Sequence, residues 1–159
     1  RYTSVDNMHL TLKFIGDITY SDYELLKNKL DQVKVSCLKM SMGKINYFTV
    51  PCDKQPYFKI IYNELKGAEA LHEAIVDSIA DLDFIKKEDN FVQHLTLLRP
   101  THLKIFSTKK NLVNAIDKIS ASYNRMNFDV MEFHVFSSTL EKGKDPVYTI
   151  VDTFRLQPI

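Results

Sequence analysis

The sequence predicts an α+β fold built from two similar halves. Segments in which apolar and polar residues alternate with period two, as in half-buried strands, are interspersed with amphipathic helical segments. The tetrapeptide His-Leu-Thr-Leu occurs twice, beginning at His9 and at His94. Each copy is followed by a helix and then by a hairpin whose second arm follows a proline, Pro56 or Pro146. Two similar lobes related by a pseudo-twofold axis would bring both copies to one shared cleft.

Length and charge exclude several classes of protein. The 159 residues, 18.5 kDa in mass, suit a single domain over residues 1–159, and no long linker divides them. Lys+Arg 21 and Asp+Glu 20 leave a net charge of +1, too little for non-specific duplex binding. No apolar run has the length of a membrane span, and the first residues do not resemble a secretion signal. We therefore expect a cytoplasmic protein without a membrane anchor.

The first half contains three clear signals. Alternation predicts a strand over Met8–Ile15, and Gly16-Asp17 ends it. Ser21-Asp-Tyr-Glu24 has the pattern of a capping box and predicts a helix that ends near Val33. Residues 37–50 predict two short strands broken at Gly43.

The remaining elements follow from the same periodicities. They are a strand over Tyr57–Tyr62, a helix over Gly67–Leu82, a strand over Phe91–Leu98, a helix over Ser107–Tyr123, and strands over Phe128–Leu140 and Val147–Leu156.

The repeated motif carries the groups needed for displacement at phosphorus. In an extended strand His9 and Thr11, like His94 and Thr96, project from one face while the leucines point to the core. One imidazole takes a proton from water and the other gives a proton to the leaving oxygen. The threonine hydroxyls donate hydrogen bonds to the non-bridging phosphate oxygens. Both proton transfers and the charge stabilisation then proceed without a metal ion.

The motifs have two other interpretations. The His-Thr pairs have only a structural role if they simply lie on half-exposed strands, but the repetition of the motif argues against coincidence. Zinc binding needs a third protein ligand, and no Asp, Glu, Cys or further His recurs at a ligand spacing beside the motifs, so no metal is expected. His72, His102 and His134 lack a threonine two residues on and are left out of the site.

The motifs resemble those of a known family. Asn7–Gly16 resembles the first motif of the 2H phosphoesterases, and within them of the 2′,5′ RNA ligase-like cyclic phosphodiesterases. His94–Arg99 resembles the second motif, and Ser137–Leu140, Gly143 and Tyr148 resemble the closing strands. The resemblance implies a bilobal, pseudo-twofold α+β fold in which two antiparallel sheets flank a central cleft with helices outside. It also implies hydrolysis of RNA 2′,3′-cyclic phosphates without a cofactor, with relatives that cleave 2′,5′ linkages.

The resemblance further suggests individual roles. His94 would activate water and His9 would protonate the leaving oxygen, although pseudo-symmetry leaves the reverse assignment open. Arg99 is a candidate to bind phosphate, and a solvated surface arginine is the alternative. Tyr148 either lines the cleft or packs against a strand. Family members usually carry a strand and a helix before the first motif, so we expect that these are missing here and that the chain is part of a larger protein.

The function expected from sequence is that of a metal-independent phosphodiesterase. Its substrates would be RNA ends or short oligonucleotides with 2′,3′-cyclic phosphates or 2′,5′ linkages, and it would act as a monomer. One alternative is degradation of 2′,5′-oligoadenylate as an antagonist of antiviral signalling. Another is a non-catalytic nucleotide-binding module of the same fold. RNA end ligation ranks lower because no segment resembles an adenylation lysine motif.

Overall fold

The structure, a computed structural model, describes residues 2–50, 57–87, 90–100, 105–122, 126–141 and 146–158. Within these ranges a short 3-10 helix, Val5–Asn7, precedes three α-helices and six strands. The helices are α1 (Tyr20–Leu30), α2 (Glu69–Ser78) and α3 (Ile105–Ser122). The strands are β1 (Leu38–Val50), β2 (Tyr57–Lys66), β3 (His94–Leu98), β4 (Asn127–Val130), β5 (Glu132–Thr139) and β6 (Val147–Arg155).

The strands form two sheets. One has four strands in the order β3-β2-β1-β4, and the other is the β5-β6 hairpin. The pairs β1-β2, β2-β3 and β5-β6 are all antiparallel. The α+β fold predicted from the sequence is confirmed. Pro56 and Gly143 lie outside the described residues, whereas Pro146 directly precedes β6.

The predicted strand over Met8–Ile15 is wrong. The structure assigns no strand to these residues, and the chain bends at Leu12. Alternation selects an extended backbone, but a strand also needs a partner for its backbone hydrogen bonds. Side chains bind this segment instead: His72 Nδ1 lies 2.9 Å from the Leu12 carbonyl oxygen, and Lys13 Nζ donates to the Lys86 carbonyl oxygen at 2.7 Å.

Other predicted elements also differ from the observed ones in their bounds, their division or their caps. Residues 38–50 form one strand, and the register shift between Met42 and Ile45 accommodates Gly43 as part of a bulge. The segment predicted as one strand over Phe128–Leu140 is divided at Met131 into β4 and β5. The capping box of α1 uses Thr19 and Asp22, two residues before the predicted pair, because both of its reciprocal hydrogen bonds form there.

Buried apolar side chains cover both faces of β2. Ile60 projects to one side, whereas Ile61 and Leu65 project to the other. The register shift between Phe48 and Thr49 places Phe58 on the side of Ile61, where its ring packs on Tyr47. All four side chains are less than 7% exposed. This explains why β2 is apolar without strict alternation. No helix within the described part of the chain is both long and apolar enough to cross a lipid bilayer.

The chain folds into two compact units that do not coincide with the halves of the sequence. The first unit contains Arg1–Leu10, Ser41–Lys66 and Gln93–Asn127, and the second contains Thr11–Met40, Gly67–Val92 and Phe128–Ile159. The first unit thus combines the β1-β2 hairpin of the first half with β3 and α3 of the second. In that unit the Ile45 N–H donates to Ser120 Oγ on α3 at 3.1 Å. The second unit combines α1 with the β5-β6 hairpin.

A half-buried polar cluster connects α1 to β6 within the second unit. The Tyr23 hydroxyl donates to Asp152, and Lys27 Nζ lies 3.1 Å from the other oxygen of the same carboxylate. The hydrogen bond from Tyr23 and the charge-assisted bond from Lys27 lower the pKa of Asp152 below its ordinary value. Lys27 also lies over the Phe154 ring, 5.2 Å from its centroid. The ionised carboxylate of Asp152 therefore stabilises the folded state.

Replacing Asp152 by asparagine should lower the thermal unfolding midpoint at pH 7 by about 2–4 °C, because the acceptor for Tyr23 remains but the charge facing Lys27 is lost. The pKa of Asp152 is lower in the folded than in the unfolded protein, so its contribution is present above the unfolded pKa and disappears as the pH falls through the folded one. The difference between wild type and variant, followed by circular dichroism, should therefore vanish in strong acid. Asp31→Asn is the control, since Asp31 lies 3.8 Å from Lys27 but on a more exposed site.

Candidate functional site

The second motif lies on an edge strand whose register fixes the direction of its side chains. His94 is paired with Glu64 on β2, and Thr96 is paired with Tyr62. Directly paired residues project from the same side of a sheet, so these four side chains share one face. Leu95 is paired with Asn63 and projects from the opposite face. The prediction that His94 and Thr96 project together from a strand is confirmed.

The same face continues across β1. Asn46 is paired with Tyr62, and Phe48 is paired with Ile60, so both of these β1 side chains project to the side of His94. We call this surface the His94 face and define it by six residues. They are Asn46, Phe48, Tyr62, Glu64, His94 and Thr96.

Two aromatic rings hold the His94 imidazole. The ring centroids of Phe48 and Tyr62 lie 5.6 Å and 5.4 Å from that of His94, and both rings meet it edge to face. The Phe48 and Tyr62 rings also pack on each other, with centroids 4.5 Å apart. Because the imidazole contacts two rings that contact each other, its orientation is restricted on two sides.

A carboxylate also lies on the His94 face. Glu64 Oε1 accepts a hydrogen bond from Asn46 Nδ2 at 2.9 Å, while Asn46 Oδ1 accepts from the Tyr47 N–H at 2.8 Å. Both ends of the Asn46 amide are therefore fixed, and the amide fixes Glu64 in turn. Burial, and secondarily the charge of Glu64, raises the pKa of Tyr62, so the Tyr62 phenol remains a neutral hydrogen-bond donor at physiological pH.

His9 of the first motif has a defined tautomer. Its Nδ1 lies 2.8 Å from the Asn7 carbonyl oxygen. A carbonyl oxygen only accepts hydrogen bonds, so Nδ1 carries a proton in both the neutral and the charged ring. Nε2 is then the nitrogen at which His9 gains or loses a proton.

The segment that carries His9 is attached to the strand that carries His94. Tyr2 forms an antiparallel bridge with Leu98, and the Thr3 N–H donates to the Leu97 carbonyl oxygen at 2.9 Å. Both histidines and Thr96 belong to the first compact unit. Thr11 is the first residue of the second unit and its side chain is exposed.

The two predicted substrate-binding residues lie in different units. Arg99 is exposed and directly follows β3 in the first unit. Tyr148 is half-buried on β6 in the second unit, paired with Ser138, and its ring centroid lies 6.3 Å from that of Phe136. Their roles in binding phosphate or nucleotide remain predictions.

Among the residues that the structure describes, no three His, Cys, Asp or Glu side chains come together in a way that would hold a metal ion.

Sequence reasoning missed Glu64, Tyr62, Phe48 and Asn46. They come from strands 30 or more residues before His94 and form no motif with it, so only the strand register reveals them. The alternation along β2 was the one available signal, since it places Tyr62 and Glu64 on the same face.

Known proteins share this architecture. No family model matches the chain. A curated relative, RNA 2′,3′-cyclic phosphodiesterase from Aquifex aeolicus (strain VF5), is 26% identical, over 98% of this chain and 81% of the relative. Among solved structures, E. coli LigT complexed with 3′-AMP aligns with a TM-score of 0.69 at 16% identity, over 98% of this chain and 80% of LigT. TT0787 of Thermus thermophilus aligns with a TM-score of 0.68 at 19% identity, over 99% of this chain and 82% of TT0787.

The chain has the fold of LigT and TT0787. The resemblance predicted from the paired motifs is confirmed by the relative and by the fold.

The aromatic support of His94 predicts how two variants of Tyr62 differ. Tyr62→Leu removes the ring that contacts the imidazole, whereas Tyr62→Phe keeps that ring and removes only the hydroxyl. An aromatic pair contributes about 0.5–1.5 kcal/mol, which corresponds to a factor of up to about ten in rate. For the reaction proposed below, we expect kcat on a 2′,3′-cyclic nucleotide to fall by about that factor in Tyr62→Leu and much less in Tyr62→Phe. Equal turnover of the two folded variants would contradict a role for the ring.

Proposed function

We propose that this chain hydrolyses 2′,3′-cyclic phosphates at RNA ends, with His9 and His94 as the acid/base pair. The paired His-x-Thr motifs carry the proposal, because they supply two proton-transfer groups and two hydroxyl donors. It is supported by the curated relative, which is named an RNA 2′,3′-cyclic phosphodiesterase. RNA ends and short oligonucleotides are the substrates that fit this chemistry, and cleavage of 2′,5′ linkages is the related reaction to be tested beside it.

In the proposed reaction His94 is the general base. The imidazole takes a proton from water, and the water oxygen forms a bond to phosphorus as the bond from phosphorus to one ribose oxygen breaks. Phe48 and Tyr62 limit the orientations of the ring, which favours a productive contact with water. The Glu64 carboxylate lies on the same face, paired with His94 across the two strands.

His9 is the general acid. Its Nδ1–H is directed to the Asn7 carbonyl oxygen, so Nε2 gives its proton to the departing ribose oxygen. The product is a phosphomonoester beside a free hydroxyl. His94 ends the turnover protonated and His9 ends it neutral, and exchange with water restores both.

Thr11 and Thr96 are proposed to donate hydrogen bonds to the non-bridging oxygens. Negative charge builds up on these oxygens in the transition state, so the hydroxyl donors lower the barrier more than they improve substrate binding. Proton transfer and charge stabilisation are then complete without a metal ion.

Purified protein tested on three substrates decides the function. A 2′,3′-cyclic nucleotide should be opened, whereas a 3′,5′-linked dinucleotide serves as the control and should stay intact. Preferential cleavage of a 2′,5′-linked dinucleotide would assign the chain to 2′,5′-phosphodiester hydrolysis instead, and binding without turnover would indicate a nucleotide-binding module. Each assay is repeated after prolonged chelation with EDTA. Activity that disappears with EDTA and returns with a divalent ion would overturn the metal-independent mechanism.

The two histidines should respond differently to the leaving group. Because one imidazole must start neutral and the other protonated, kcat/KM should have a bell-shaped pH profile. His9→Ala and His94→Ala should each lose at least about a hundredfold in kcat on the cyclic nucleotide. A nitrophenyl diester scarcely needs a general acid, so His9→Ala should recover much of its activity on that substrate.

Rescue of His94→Ala instead of His9→Ala by the nitrophenyl diester would reverse the assignment. Unchanged turnover of the cyclic nucleotide by either folded variant would refute the two-histidine mechanism.

The hydroxyl donors are tested by Thr11→Val and Thr96→Val, which preserve side-chain shape. Loss of one such donor typically costs about 3 kcal/mol, or a factor on the order of a hundred in kcat, with little change in KM. Thr49→Val is the matched control, because Thr49 is an exposed threonine on β1 in the first unit. The role fails if either motif variant is as active as this control.

A further inference from the structure

His72 makes two specific contacts that the proposed mechanism does not use. It lies half-buried on α2, with its Nδ1 2.9 Å from the Leu12 carbonyl oxygen. Its ring is stacked on the Phe91 ring, with centroids 3.7 Å apart and planes inclined by 6°. These residues all belong to the second unit.

The hydrogen bond acts on the residue that follows Thr11. Because Leu12 offers a carbonyl oxygen, His72 Nδ1 must be the donor, whichever charge the ring carries. No strand pairing holds this part of the first motif among the described residues. The His72 bond therefore fixes the backbone directly after Thr11. The side chain of the next residue, Lys13, is bound to the Lys86 carbonyl oxygen.

The Phe91 ring, on which His72 is stacked, lies shortly before the second motif in the sequence. Phe91 precedes His94 by three residues, in the segment between α2 and β3. Parallel stacking at 3.7 Å leaves no room for either ring to tilt without losing contact with the other. One imidazole thus restrains the backbone of the first motif and the approach to the second.

We propose that His72 is a positioning residue for the phosphodiester reaction. It holds the Leu12 carbonyl and the Phe91 ring together, and through Leu12 it sets the position of the Thr11 hydroxyl. This inference rests on the function proposed above for Thr11. The side chain itself does not touch the substrate.

Three variants separate the two contacts. His72→Phe keeps an aromatic ring for Phe91 but removes the donor to Leu12. His72→Asn keeps an N–H donor near the position of Nδ1 but removes the stacked ring. Phe91→Leu removes the stacking partner and leaves the imidazole and its hydrogen bond in place.

Trypsin provides a readout that is independent of activity, because Lys13 lies directly after Leu12. Cleavage after Lys13 requires local opening of the tethered segment. We expect it to be about fivefold faster in His72→Phe than in wild type, the factor for one lost hydrogen bond. In His72→Asn and Phe91→Leu the increase should be smaller. Cleavage after Lys34, in an exposed stretch outside any helix or strand, is the internal control and should not change.

Steady-state kinetics on the 2′,3′-cyclic nucleotide test whether the His72–Leu12 hydrogen bond contributes to catalysis. His72→Phe should lower kcat by at least about fivefold with an unchanged KM, since Thr11 acts mainly in the transition state. His72→Asn should recover most of this loss.

Each result has a definite meaning. Equal rates of cleavage after Lys13 in His72→Phe and wild type would show that the His72 hydrogen bond does not hold the backbone at Leu12. Faster cleavage with an unchanged kcat would show that the His72 hydrogen bond holds the segment but does not contribute to catalysis. If the wild-type protein hydrolyses no diester, the proposed function fails, and cleavage after Lys13 still decides whether His72 holds the segment.

Discussion

The pairing of β3 with β2 is the interaction on which the second motif depends. Its register places His94 beside Glu64 and Thr96 beside Tyr62. Since side chains alternate along a strand, a slip of one residue would turn the histidine and threonine to the other face and bring leucines in their place. Aromatic packing on one face and buried apolar residues on the other oppose such a slip. Hydrogen bonds from residues 2 and 3 to the end of β3 extend this constraint to the segment that carries His9.

The two compact units exchange parts of the two halves of the sequence. The β1-β2 hairpin follows the first motif along the chain but folds with the strand of the second motif. The β5-β6 hairpin follows the second motif but folds with α1. The first hairpin therefore supplies Phe48, Tyr62 and Glu64 to His94. Each hairpin folds with elements from the other half of the sequence. Each unit therefore depends on residues that are distant in the chain, and neither half contains all the parts of one unit.

Sequence patterns predicted those features that local forces decide. The three helices, β2, β3, β6 and the direction of His94 and Thr96 follow from periodicity. The same alternation around His9 predicted a strand that is absent among the described residues, because pairing depends on a partner that local sequence does not specify. Gly43 predicted a break between two strands because glycine is common both in chain reversals and in bulges, and the structure has a bulge there. Glu64 and His72 had no motif to reveal them, since each acquires its neighbours only through contacts between distant segments.

The two identical motifs thus lie in different surroundings. His94 lies on a paired strand between two aromatic rings, on a face that also carries a carboxylate. His9 lies in a segment outside the strands, with one ring nitrogen bound to a backbone carbonyl. In an exact twofold arrangement nothing in the surroundings would distinguish the acid from the base. Because the two supports differ, the proposed reaction can give the two rings different roles, His94 as the base and His9 as the acid.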